Sequence, residues 1–121
     1  MIDLAPEQLA IVRSLLAAQV PDCEVRAFGS RITGKAKPYS DLDIVLFGPA
    51  RLSLGRLATL REAFAESELP IRIDLIDWHA LSENFRNIIS AKFEVLQNST
   101  LSDADSAKQE QSILGNLKGP G

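Results

Sequence analysis

No stretch of this chain leaves its fold less freedom than DLDIVLF, residues 41–47, followed at once by Gly48-Pro49. Ile44, Val45, Leu46 and Phe47 are consecutive and apolar, which reads as a strand covered on both faces. Gly-Pro then ends it. The opening of that strand is odd. Asp41 and Asp43 stand two residues apart, and side chains at that spacing share one face of a strand. A strand that only fills a core has no use for two neighbouring carboxylates. Left unpaired they repel, and one takes up a proton; a positive charge between them removes the conflict.

The flanking segments supply the rest of a small α/β domain. Pro6 suits a first helical position, and Leu9, Val12, Leu16 and Val20 recur at helical spacing up to Pro21, predicting a helix over 6–20. Glu24–Phe28 reads as a short strand ending at Gly29, with Val25 and Phe28 inward and Glu24 and Arg26 outward. Ser53 is a good N-cap for a helix over 53–68, with Leu54, Leu57, Leu60 and Phe64 along one side. Pro70 breaks that helix, and Ile71–Trp78 is a third strand. Ser82 caps a last helix over 82–90, whose buried face is Phe85, Ile88 and Ile89, and Phe93–Leu96 adds a short edge strand.

The domain is thus expected over residues 1–97, followed by a polar stretch over 98–121 that closes on Gly-Pro-Gly. That stretch buries too little apolar surface to offset chain entropy and reads as a tail. Ser112–Leu117 within it is either a turn of helix against a partner or part of a disordered remnant.

A chain of 121 residues is one domain, and 45% hydrophobic residues suffice for a core. A net charge of −3 argues against duplex nucleic acid as the main partner. The basic residues are uneven, however: Arg26, Arg31, Lys35 and Lys37 fall within twelve positions. A lone cysteine, Cys23, forms no internal disulfide and fits a reducing cytosol as buried filler. The opening MIDLAPEQLA has no basic segment leading into an apolar run, so no secretory signal is expected. No apolar run approaches the roughly 20 residues that span a bilayer. A cytoplasmic location is expected.

Two hard oxygen ligands on one rigid strand suit Mg²⁺, which takes one or two carboxylates, waters and substrate phosphate oxygens. The segment before them suits phosphate. Gly29 allows close backbone approach, Ser30 offers a hydroxyl and an N–H at a turn, and residues 30–34 can open a helical turn whose N–H groups point at an anion. Arg31, Lys35 and Lys37 add positive charge, and Arg31 is the one expected to touch phosphate. In IRIDLID, Asp74 sits between apolar Ile73 and Leu75, where an ionised group is costly without compensation. Asp74 is therefore the candidate third ligand. Asp77, three residues on, faces the other way and reads as structural or solvated.

Two metals about 3.5–4 Å apart would hold attacking and leaving oxygens in line across phosphorus. Asp74 is the candidate to accept the proton of an attacking hydroxyl. His79 reads as a loop residue and Trp78 as core. Tyr39 is either a loop residue or a platform for a base.

Gly29-Ser30, ten residues, then Asp41-Leu42-Asp43 resembles the Gly-Ser-x10-Asp-x-Asp signature of the DNA polymerase β-like nucleotidyltransferases, in particular their minimal bacterial and archaeal members. Arg31, Gly34 and Ser40 extend the likeness, sitting where that group shows GSRxxG and SDLD, and Asp74 falls on the third-carboxylate strand. The resemblance covers about residues 5–97. It implies an α/β fold with a small mixed sheet and helices packed mainly on one face. It implies a two-metal Mg²⁺ site at Asp41, Asp43 and Asp74, with Gly29, Ser30, Arg31 and Ser40 binding the nucleotide. It further implies transfer of AMP from ATP to a hydroxyl, and, for many such proteins, service as antitoxin to a HEPN-domain ribonuclease toxin.

Three functions remain distinct on the sequence. The first is an adenylyltransferase acting on a protein partner. The second is an enzyme modifying a small molecule; such relatives usually carry a further helical domain for the acceptor, which is not expected here. The third is an antitoxin that acts by binding alone, against which the three acids argue.

Overall fold

The computed structural model describes residues 2–100, so the expected tail beyond Thr100, with its Ser112–Leu117 run, lies outside the described residues. Among the described residues four helices and four strands follow one another as α1 (Pro6–Gln19), β1 (Glu24–Phe28), α2 (Ser30–Thr33), β2 (Leu42–Phe47), α3 (Leu54–Ala65), β3 (Ile73–Asp77), α4 (Glu83–Ala91) and β4 (Glu94–Gln97). The strands form one mixed sheet in the order β3-β2-β1-β4. β1 runs antiparallel to both β2 and β4, whereas β2 and β3 are parallel. A parallel pair cannot be joined by a hairpin, and α3 is the crossover that returns the chain.

Local chemistry sets the ends of these elements. Pro6 opens α1, where a missing N–H costs nothing. The Ser53 hydroxyl accepts from Arg56 N–H at 3.1 Å and the Ser82 hydroxyl from Phe85 N–H at 3.2 Å, so both predicted caps hold. The helix expected to reach residue 68 stops at Ala65, and the Ser67 hydroxyl donates back to Phe64 O at 2.6 Å. The third strand ends one residue early because Asp77 takes the N-cap of a short 3₁₀ turn over Trp78–Ala80.

The main core lies between one sheet face and the α1/α3 pair. Val12 and Leu16 from α1 and Leu57, Leu60 and Phe64 from α3 meet Val25, Ala27, Ile44, Leu46 and Leu75. Leu60 is fully buried, so Leu60→Ala would cost about 2–5 kcal/mol. A smaller cluster covers the other face: Phe28, Val45 and Ile89, flanked by Phe47, Ile76, Trp78 and Leu81. Helices thus cover mainly one face, and α4 patches the second.

Two expected faces are corrected. Phe28 joins the smaller cluster instead of sharing a face with Val25. Arg26, two residues earlier, is not directed to water: its guanidinium lies 4.3 Å from the ring centres of both Phe47 and Phe93. On α4 only Ile89 is buried; Ile88 is 67% exposed and Phe85 36%. The small cluster has room for one turn of the helix, and Phe85 touches it only edge-on, with its ring 6.2 Å from that of Phe28. The folded unit also continues past Gln97, because the Ser99 hydroxyl donates to Asp22 O at 2.9 Å and Thr100 N–H to Pro21 O at 3.1 Å. Among the described residues no helix is long and apolar enough to cross a membrane.

Candidate active site

The acidic end of β2 meets two other segments through strand register. Phe28 at the end of β1 is paired with Asp43, and Asp43 is paired with Asp74 on β3. Neighbours in a sheet share a face, so Asp43 and Asp74 stand side by side on the face of the smaller cluster. Asp41 precedes β2 by one residue, half-buried, and its Oδ2 lies 3.6 Å from Arg72 Nη2. Asp74 is exposed.

Gly29 makes the close approach feasible. Its φ of 82° and ψ of −157° fall in a region that only glycine occupies readily. A Cβ built there would overlap Asp43 Oδ2 and sit 3.2 Å from Asp43 Cγ. The residue is small because a carboxylate fills the space beside it. From Gly29 the chain turns straight into α2, four residues long, whose end is capped by Gly34 at φ 83°. Ser30 is half-buried at the start of this turn, and among the described residues its hydroxyl has no hydrogen-bond partner.

Burial pushes the Asp43 carboxyl above its ordinary value, and the charges of Asp74 and then Asp41 push the same way. No donor among the described residues reaches its oxygens. A half-buried carboxylate with two acidic neighbours and no donor among the described residues is able to take up a cation. Among the described residues no three metal-ligating side chains are gathered tightly enough to chelate an ion by themselves. An open pair on a strand, with water and phosphate oxygens completing the sphere, is nonetheless how Mg²⁺ is commonly held. The donor set fits that ion.

Arg31 and Ser40 have another task. The Arg31 guanidinium is buried and donates to main-chain carbonyls: Asp3 at 2.8 Å, Pro38 at 3.2 Å, Lys37 at 3.5 Å, and Ser40 at 3.0 Å from Nε and 2.8 Å from Nη2. The expectation that Arg31 touches phosphate is corrected accordingly, since its donors are occupied inside the fold. Ser40 accepts those bonds, and its hydroxyl accepts from Lys37 N–H at 2.9 Å, so it braces the loop instead of facing a nucleotide. The guanidinium nearest the carboxylates is that of Arg72. It was not singled out from the sequence, although its place two positions before Asp74 is visible there.

Other expectations for single residues hold. Asp77 is buried on the opposite face and accepts from Leu52 N–H at 2.7 Å and His79 N–H at 3.0 Å. His79 Nε2 lies 2.8 Å from Gly48 O in a loop contact, and Trp78 stacks 4.4 Å from Phe47. Cys23 is fully buried, and burial raises its thiol to about 11, which makes it inert filler at neutral pH. Tyr39 is 91% exposed.

Residues 7–104 match the family described as Nucleotidyltransferase domain. The chain belongs to this nucleotidyltransferase family. A Haemophilus influenzae relative named "Probable protein adenylyltransferase MntA" is 49% identical over 96 residues, covering 79% of this chain and 84% of the relative. Solved structures share the fold. A toxin–antitoxin structure with AMP-PNP superposes with a TM-score of 0.66 at 21% identity, over 90% of this chain and 93% of that one. A tri-AMPylated Shewanella oneidensis HEPN toxin in complex with MNT antitoxin gives 0.60 at 21% identity, over 92% and 87%.

Proposed function

We propose that this nucleotidyltransferase moves AMP from ATP to a hydroxyl of a protein partner, with Mg²⁺ at its carboxylates, and serves as antitoxin to a HEPN ribonuclease toxin. The observation that carries the reading is the 49% identity to a protein named as a protein adenylyltransferase, over most of both chains. The cluster around Asp43 supports it, because the carboxylates at that strand end suit a metal–triphosphate.

In this reading Asp43 at the start of β2 and Asp41 just before it hold the cation, and Gly29 lets the turn into α2 come close beside Asp43. Ser30 presents its free hydroxyl to the triphosphate. Asp74, exposed at the edge of the sheet, accepts the proton of the incoming hydroxyl as that oxygen attacks the α-phosphorus and pyrophosphate leaves. Bound Mg²⁺ would neutralise charge on the phosphate oxygens. β3 is an edge strand, so an acceptor carried by another protein reaches Asp74 without crossing the domain.

The test mixes the full chain with the partner toxin, ATP and Mg²⁺ and reads intact mass. The partner should gain about 329 Da per modification, roughly one AMP, as attack at the α-phosphorus requires. Asp41→Asn with Asp43→Asn should abolish the gain and also the neutralisation. A double variant that still neutralises the toxin fully would mean that binding alone does the work.

A further inference from the structure

Arg31 is the most deeply buried cation in the described part of the molecule, 6% exposed, and its partners are uncharged main-chain carbonyls. Those carbonyls belong to two separate segments: Asp3 near the start of the chain, and Lys37, Pro38 and Ser40 in the loop that runs into Asp41. The main chain of Arg31 adds a second tie, since its carbonyl accepts from Asp3 N–H at 2.8 Å. The loop has only a light frame of its own, with Ser40 N–H donating to Lys37 O at 3.0 Å and Lys37 N–H to the Ser40 hydroxyl at 2.9 Å. Its tip, Tyr39, is 91% exposed. A forked guanidinium is the side chain able to bind carbonyls on several sides at once; an ammonium is a point charge on a flexible stem. The residue after this braced loop is the first of the two strand carboxylates.

We infer that Arg31 is a positioning residue: by clamping the Lys37–Ser40 loop it fixes Asp41 beside Asp43, and so sets the affinity of the pair for a divalent cation. The inference rests on the reading of Asp41 and Asp43 as cation ligands. It assigns Arg31 no contact with nucleotide. Groups that orient metal ligands in this way typically change metal affinity by about 10–100-fold when replaced.

The experiment titrates Mn²⁺ alone into the full chain, read by electron paramagnetic resonance, for wild type, Arg31→Lys and Asp43→Asn. Amide hydrogen exchange is followed in parallel. Arg31→Lys should weaken Mn²⁺ binding by about 10–100-fold and speed exchange at Lys37 and Ser40, while amides of Ile44 and Leu46 keep their protection. In transfer assays its rate should recover at high Mg²⁺ with little change in KM for ATP. A residue that merely supported the fold would loosen amides throughout and show no recovery by Mg²⁺. If Arg31→Lys binds Mn²⁺ like wild type, or raises the KM for ATP at every Mg²⁺ concentration, the inference is overturned. If Asp43→Asn binds Mn²⁺ as well as wild type, the carboxylate reading itself fails and takes the inference with it. Should Arg31→Lys not fold, Pro38→Gly loosens the same loop and must give the same Mg²⁺-recoverable loss; a normal Pro38→Gly would count against the clamp.

Discussion

Asp74 and Asp77 lie three residues apart on β3, yet Asp74 is exposed beside Asp43 while Asp77 is buried with two N–H groups on its oxygens. The contrast extends to the two ends of the sheet. At the far end Asp22 is paired with Arg56, whose Nη1 donates at 2.9 Å, and its carboxyl is held below the ordinary value chiefly by that bond. At the near end Asp43 has no donor, and burial and its acidic neighbours hold its carboxyl above the ordinary value. One end uses carboxylates to join segments. The other leaves Asp43 without a donor among the described residues, which suits a binding site better than a structural joint.

The sharpest way to break this contrast is Asp43→Asn. If Asp43 holds the cation as proposed, losing its charge removes several kcal/mol of transition-state stabilisation, so AMP transfer should fall by about a thousandfold or more. The fold should be no less stable, because the lost charge is one the fold disfavours. Loss of both activity and stability, seen by thermal melting, would mean that the near end is structural after all.

Gly29→Ala probes the same end through space. The new methyl overlaps Asp43 Oδ2 at a φ that disfavours any side chain. Displacing the carboxylate by about 1 Å should cost roughly a hundredfold in rate, and the strained backbone about 1–3 kcal/mol in stability. A variant with normal transfer rate would show that the close approach is incidental.

Much of this arrangement was legible in the sequence because it depends on periods and fixed spacings. The two-residue step from Asp41 to Asp43, the strand IRIDLID and the caps Ser53 and Ser82 are local facts, and all led to correct elements. What local pattern did not carry was direction. Arg31 reads as a cation near phosphate in one dimension, and only tertiary placement shows its donors turned onto the carbonyls of Asp3 and Ser40. Ile88 has the right helical spacing for burial, yet the small second cluster admits only Ile89 from α4. Arg26 alternates like a solvent-facing residue, and the rings of Phe47 and Phe93 came from two other segments.

At the far end, Asp77→Ala should leave catalysis per folded molecule unchanged and reduce stability. It strips the buried Leu52 N–H of its acceptor, a loss of about 1–3 kcal/mol. For a domain of this size each kcal/mol lowers Tm by roughly 4–8 °C. Calorimetry with an activity assay well below Tm separates the two quantities. A large drop in rate would tie Asp77 to the site and erase the contrast between the ends.

The smallest effect is also the most diagnostic, because the two ends should respond to pH with opposite signs. Asp22 has a folded value below its ordinary 3.8. Its contribution to stability is fully present above 3.8 and is lost as pH falls through the folded value. Asp43 has a folded value above its ordinary 3.8, so the folded chain binds the proton more tightly than the unfolded chain. Its contribution therefore turns unfavourable as pH rises from 3.8 through the folded value, and stays so at neutral pH. Melting curves across this range should show Asp22→Asn less stable than wild type at neutral pH, with the gap closing in acid. Asp43→Asn should match wild type in acid and exceed it as pH rises. Mg²⁺ should then narrow the Asp43→Asn advantage, since a cation beside Asp43 offsets the repulsion from Asp41 and Asp74 that wild type otherwise bears. If Mg²⁺ leaves that gap unchanged at neutral pH, the ion does not bind at Asp43, and its raised carboxyl reflects burial and the charges of Asp74 and Asp41 with no cation to answer them.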